Sequence, residues 1–133
     1  MKTRYDKLIV VRDVASRTAT ASFAEAAAHL AGQEALAVRL DSAANALSPE
    51  IGAASGAALA AQLELAGRMQ AARSVAQVRI DDARRDCDET ALTRKASRRA
   101  LDAAVDIRRA HQQARVSRAE TRQMPVTPTD ERR

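Results

Sequence analysis

Apolar positions along residues 4–47 recur at helical spacing and predict one long helix. Larger side chains stand at Leu8 and Val11, then Phe23 and Leu30, and later Leu36, Leu40 and Leu47, with Ala15, Ala26, Ala37 and Ala44 between them. The series Phe23, Leu30, Ala37, Ala44 steps by seven, and so does Leu40 to Leu47. A seam of that period on one face is the pattern of a coiled coil. Thr18, Ser22 and Gln33 lie near the seam, so loose packing is expected there. Gly32 interrupts the run at a cost of about 1 kcal/mol without ending it.

The only strong punctuation before residue 125 falls at 48–56, where Ser48, Pro49, Gly52 and Gly56 cluster. Ser48 before Pro49 suits a capped new turn, since proline is welcome at a first helical position. Gly52 and Gly56 supply the backbone freedom a reversal needs. A second helix is then predicted over 57–124, with the stripe Leu59, Leu63, Ala66, Met69, Ala72, Ala76, Ile80, Ala83, Cys87, resuming at Leu101 and Val105. Charge pairs at helical spacing support it: Asp81 with Arg84 or Arg85, and Asp102 with Arg98 or Arg99. Residues 125–133 are polar and proline-punctuated and read as a disordered tail.

The fold class is therefore all-α: an antiparallel two-helix coiled-coil hairpin spanning residues 1–124, with helix 1 at about 4–47, a turn at 48–56 and a longer second helix. At 1.5 Å per residue the helices measure roughly 65 Å and roughly 100 Å. Folding back about residue 52 sets Leu47 opposite Ala57 and Leu8 opposite Ala96. Residues 101–124 then overhang, and an isolated helix of that length is marginal in water.

Composition explains why the seam is narrow. Among 133 residues, 32 are alanine against 29 larger apolar residues, and Tyr5 and Phe23 are the only aromatics. Such a chain lacks the bulk for an ordinary layered core. Four glycines and three prolines are too few for a β-rich fold. No apolar run reaches membrane-spanning length or resembles a signal peptide, and the single cysteine, Cys87, fits a reducing compartment. A cytoplasmic location is expected.

The net charge of +5 is uneven. Residues 1–67 carry six basic and seven acidic side chains, and 68–133 carry sixteen and ten. Between Arg94 and Arg122 nine basic residues stand against three acidic ones, and five of the nine lie on the expected overhang. Three readings of this segment stay open: a solvated arginine-rich face, phosphate contact with nucleic acid, or docking on an acidic protein surface. With so few aromatics, base stacking is missing and sequence-specific single-strand recognition is not expected.

No enzyme is expected. The glycines are too scattered for a phosphate-cradling loop. His29 and His111 are far apart, and each reads as a helix-surface or seam residue rather than a ligand. Cys87 lies on the apolar stripe as a small hydrophobe with no histidine near it. The cluster Asp81, Asp82, Asp86, Asp88 and Glu89 is interrupted by Arg84 and Arg85 and reads as a salt-bridged face. Neither a catalytic, cofactor nor metal site, nor a small-molecule substrate, is expected.

The opening Arg4-Tyr5-Asp6-Lys7-Leu8-Ile9-Val10-Val11-Arg12, leading into a long alanine-rich helix, resembles the start of the flagellar FliJ family and its counterparts in virulence type III secretion. Chain length, the single break near 48–56 and the longer second helix are similar as well, so the resemblance covers nearly the whole chain. It implies a coiled coil resembling the central shaft of rotary ATPases, peripheral to the inner membrane. The implied partners are the export ATPase ring, the cytoplasmic domain of the export gate, and export chaperones. On that resemblance Leu8, Val11 and Arg12, together with Arg108, Arg109 and Arg115 on the overhang, are expected to contact the ATPase. Leu59, Leu63 and Leu65 would form a second contact. The alternatives are a basic coiled-coil nucleic-acid-associated protein and a structural coil that self-assembles as a homodimer through the overhang.

Overall fold

The computed structural model describes residues 2–47 and 55–126. Two α-helices account for nearly all of them: α1 is Arg4–Ala46 and α2 is Gly56–Gln123. The chain is all-α, a two-helix hairpin with the longer helix second. Ser48, Pro49 and Gly52 of the predicted turn, and the tail from residue 127 onward, lie outside the described residues.

Each helix end has a local cause. At the start of α1, the Thr3 and Asp6 side chains cap each other's backbone. The Asp6 N–H donates to Thr3 Oγ1 at 3.2 Å, while the Thr3 N–H and hydroxyl each donate to Asp6 Oδ2 at 2.8 Å. This reciprocal box satisfies donors that the first turn leaves open. At the start of α2, Ser55 is the cap, with its Oγ accepting from the Ala58 N–H at 3.3 Å. Gly56, expected in the turn, is instead the first residue of α2, because Ser55 supplies a cap immediately before it. The C-terminus of α2 closes with Met124 N–H donating to the Glu120 carbonyl at 3.1 Å. Pro125 follows, and it disfavours helical geometry in the residue before it.

The chain divides into two compact units, Thr18–Arg94 and Met1–Arg17 with Lys95–Arg133. In the first unit α1 and α2 run antiparallel: going up α1, Phe23, Glu34 and Asp41 meet Arg94, Arg84 and Arg73, in descending order on α2. The inward positions of α1 are Ala19, Phe23, Ala26, Leu30, Gln33, Ala37, Leu40 and Ala44. Those of α2 are Met69, Arg73, Ala76, Ile80, Ala83, Cys87, Thr90 and Arg94. Both sets are two interleaved series that step by seven, which is the coiled-coil repeat. Ala83 at 2% exposure and Ala76 at 4% are the tightest points of this unit, and among the described residues no large side chain is wholly enclosed. Alanine lets helices approach closely but removes little apolar area from water, so each contact contributes modestly. Gln33 sits in the seam with its Oε1 buried and without a hydrogen-bond partner among the described residues.

The second unit has the same construction. Tyr5, Asp6, Ile9, Asp13 and Ser16 of α1 face Ser97, Leu101, Ala104, Val105 and Arg108 of α2, with Ala104 at 3% exposure. Leu8 and Val11 were expected on the seam and are exposed at 38% and 64%; Leu36 and Ala15 are exposed too. Carried back from Phe23 in steps of seven, the seam passes through Ser16 and Ile9, so hydropathy pointed to the neighbouring residues. On α2 the expected gap between Cys87 and Leu101 is filled by Thr90, Arg94 and Ser97. The Thr90 hydroxyl donates to the Asp86 and Cys87 carbonyls at 2.9 and 3.0 Å, which lets a polar residue occupy a seam position.

The register also differs from expectation. Each cross-helix contact falls ten to fourteen residues further along α2 than a fold about residue 52 requires. The Asp41–Arg73, Glu34–Arg84 and Phe23–Arg94 contacts fix the pairing. As a result Leu101, Ala104, Val105 and Arg108 are covered, and the exposed C-terminal stretch is 112–123 rather than 101–124. A second exposed stretch, 56–68, appears at the other end of α2.

Candidate interaction surfaces

Arginines of a single heptad series on α2 make three of the cross-helix contacts. Arg73 Nε donates to Asp41 Oδ1 at 2.6 Å, and the Arg94 guanidinium lies 4.2 Å from the centre of the Phe23 ring. Arg108 donates to Asp6 Oδ1 at 3.3 Å, and the Tyr5 ring meets the His111 ring at 4.7 Å between centroids. Both aromatics of the chain thus hold α2 in place. Arg84 also reaches across, to Glu34 at 3.5 Å, instead of pairing with Asp81. Asp81 accepts from Gln77 Nε2 at 3.0 Å, Arg85 pairs with Asp82, and Arg98 pairs with Asp102 as expected. Exposed pairs of this kind contribute about 0.2–1 kcal/mol each, so they act more on register than on stability.

The Asp6 carboxyl is held below its ordinary range. The Thr3 backbone N–H is the main cause and the Thr3 hydroxyl the next; partial burial opposes them, and the Arg108 guanidinium adds to the lowering. One carboxylate therefore caps α1 and binds α2 together.

Arg108 was expected on a free overhang, but its pairing with Asp6 ties it into the fold. Arg109 and Arg115 are exposed, as are Leu8, Val11 and Arg12 on the outer side of α1. Val10 and Val14 join Val11 there, at 55%, 58% and 64% exposure. Leu59, Leu63 and Leu65 are exposed at 47%, 65% and 41%. Leu59 and Leu63 share a stripe, one turn apart, while Leu65 points away from it.

Carrying the α2 heptads past both paired stretches separates two surfaces. Toward the N-terminus the seam positions are Leu59, Gln62 and Ala66, with Leu63 beside them. Toward the C-terminus they are His111, Arg115, Arg118 and Arg122. Every one is exposed. Individual arginines in the basic run are visible in the sequence; that three of them continue the seam becomes visible only once the register is known.

Pairing of the helices also creates a shallow recess lined by Ser22, Glu25, Ala26, His29, Asp86, Glu89 and Thr90. Glu25 stands one turn before His29 on α1, and α2 brings Asp86 and Glu89 into the same recess. Among the described residues no group of three or more His, Cys, Asp or Glu side chains is placed to hold a metal ion, and no helix is long and apolar enough to cross a membrane. No family model, curated protein or solved structure matches the chain.

Proposed function

We propose that the chain is a non-enzymatic coiled-coil adaptor that docks other proteins along exposed continuations of its own seam. The finer reading is a FliJ-like component of the flagellar or type III export apparatus, peripheral to the inner membrane. It would act on the export ATPase ring and on the cytoplasmic domain of the export gate, and would escort export chaperones. The observation that carries the adaptor reading is that α2 keeps its heptad register into two exposed stretches, 56–68 and 112–123. A coiled-coil half-seam is a surface shaped to receive another helix.

The export assignment draws on the resemblance of the opening segment, and the roles within that segment are compatible with it. Tyr5, Asp6 and Ile9 hold α2, while Leu8, Val10, Val11 and Arg12 are exposed for a partner. The test is turnover and ring assembly of the cognate export ATPase with and without the pure chain. Stimulation that is lost in a Val11→Glu/Arg12→Glu variant supports the reading. No effect on either measure, with an ATPase active alone, rejects it.

Self-assembly is a second reading, favoured by exposed Leu59 and Leu63. It does not favour the C-terminal stretch, because two copies paired there would set Arg115, Arg118 and Arg122 against like charges.

A further inference from the structure

The fold repeats one device. Arg73 and Arg108 stand five heptads apart on α2, and the carboxylates they bind, Asp41 and Asp6, stand five heptads apart on α1. The same series includes Arg94, which takes a ring face in place of a carboxylate. Its next two members are Arg115 and Arg122, and Arg118 belongs to the companion seam series. Among the described residues no carboxylate pairs with these three. Helix α1 begins at Arg4, and its first turn already meets Arg108 and His111, so no described part of α1 lies beside the last turns of α2.

We propose that residues 112–123 are a docking site for an acidic helix of a partner protein, laid antiparallel on α2 as α1 is. Carboxylates seven residues apart on that helix face Arg115 and Arg122. Charge complementarity selects the occupant. A second copy of the stretch presents only arginine to arginine, whereas an acidic helix continues the Arg–Asp pairing seen twice in the fold. Between the arginines, Gln112, Arg115, Val116 and Ala119 line a shallow recess at i, i+3, i+4 and i+7, with Val116 57% exposed. That apolar floor suits a side chain from a docked helix, and a phosphate backbone has nothing to place there. The proposal rests on the adaptor reading but is separate from the export assignment, since its test contains no ATPase and either can fail alone.

The test uses the full chain and a helical peptide of about three heptads, with glutamate at every seventh position and leucine beside it. A control peptide of the same composition has its glutamates out of register, and a duplex of about two turns serves as competitor. Binding of the in-register peptide should weaken at least about tenfold in R115Q/R118Q/R122Q and less than about threefold in the charge-matched R39Q/R79Q/R99Q. Amide exchange across 112–123 should slow when the peptide binds. Four results would each overturn the proposal: no peptide binding up to about a millimolar concentration, equal loss in the two variants, equal binding of the out-of-register peptide, or tighter binding of the duplex through the same arginines at the same salt.

Discussion

The two exposed ends of α2 share one helix and one heptad frame, yet they present opposite chemistries. The 56–68 end shows Leu59, Leu63 and Ala66, and the 112–123 end shows Arg115, Arg118 and Arg122. An apolar half-seam associates with any apolar helix face, including its own copy. A basic half-seam rejects its own copy and selects acidic partners, with electrostatics also speeding the encounter. Each end is stabilised locally as well. Arg68 pairs with Glu64 at 2.7 Å in the first, and Arg122 lies in the last turn of the second, where a cation favours the helix dipole. Geometry thus makes both ends receptive, and side-chain chemistry alone distinguishes what each receives.

The sharpest way to break this comparison is to show that an exposed seam residue matters to folding as much as a covered one. Ile80→Ala, at a covered position, is expected to lower stability by about 2–4 kcal/mol in urea or thermal unfolding. Leu63→Ala should stay within about 0.5 kcal/mol. A comparable loss at Leu63 would mean that the 56–68 end is packed in solution.

Next in size are the devices that hold the helices. Gln33→Leu should raise stability by about 1 kcal/mol, because it removes an unsatisfied buried oxygen from the seam. Thr3→Ala should lower it by about 1 kcal/mol through loss of the α1 cap. Unfolding midpoints of the two variants would therefore move in opposite directions.

Acid titration isolates Asp6. Its folded pKa is below the ordinary 3.8, so the unfolded chain binds the proton more readily. The stabilisation is fully present above that ordinary value and is lost as pH falls below it toward the folded value. Asp6→Asn should flatten this part of the acid limb when stability is followed against pH. An unchanged limb would show that the Thr3 and Arg108 contacts do not persist in solution.

The smallest effect concerns Gly67, in the apolar end, where an added Cβ meets nothing within 4 Å. Gly67→Ala should increase helicity of 56–68 by circular dichroism and gain about 0.5–1 kcal/mol of local helix stability. The global midpoint should move less than with Gly32→Ala, since Gly32 lies in the stretch of α1 that pairs with α2 and its added Cβ is equally unobstructed.

How much was legible in the sequence depended on whether a feature was local. Helix limits near residues 4, 47 and 124 follow from composition and proline placement, and the Phe23, Leu30, Ala37, Ala44 series is the observed seam. Leu8, Val11 and Leu36 were misassigned because hydropathy cannot separate neighbouring valines and leucines when alanine fills most inward positions. Arg94 falls in the expected gap of the stripe and Arg108 on the expected overhang because a charged residue in a seam looks like an interruption. Both have long aliphatic stems that cover the seam while the guanidinium reaches a partner. Arg109 and Arg115 lie in the exposed stretch, whereas Leu59 and Leu63, assigned by hydropathy to the pairing stripe, are exposed, and an error of register hid the arginine stripe.

The sequence by itself determined that this protein is helical, alanine-seamed and basic toward its C-terminal end, since these follow from residue type and spacing along one strand of chain. Only the tertiary structure decided where one helix lies against the other. Register is a non-local property: an alanine seam slides with little change in buried area, and sparse specific contacts such as Asp41–Arg73, Phe23–Arg94 and Asp6–Arg108 select one alignment. That alignment converts Arg108 from an open contact into a structural one, and leaves Arg115, Arg118 and Arg122 facing outward on an open seam.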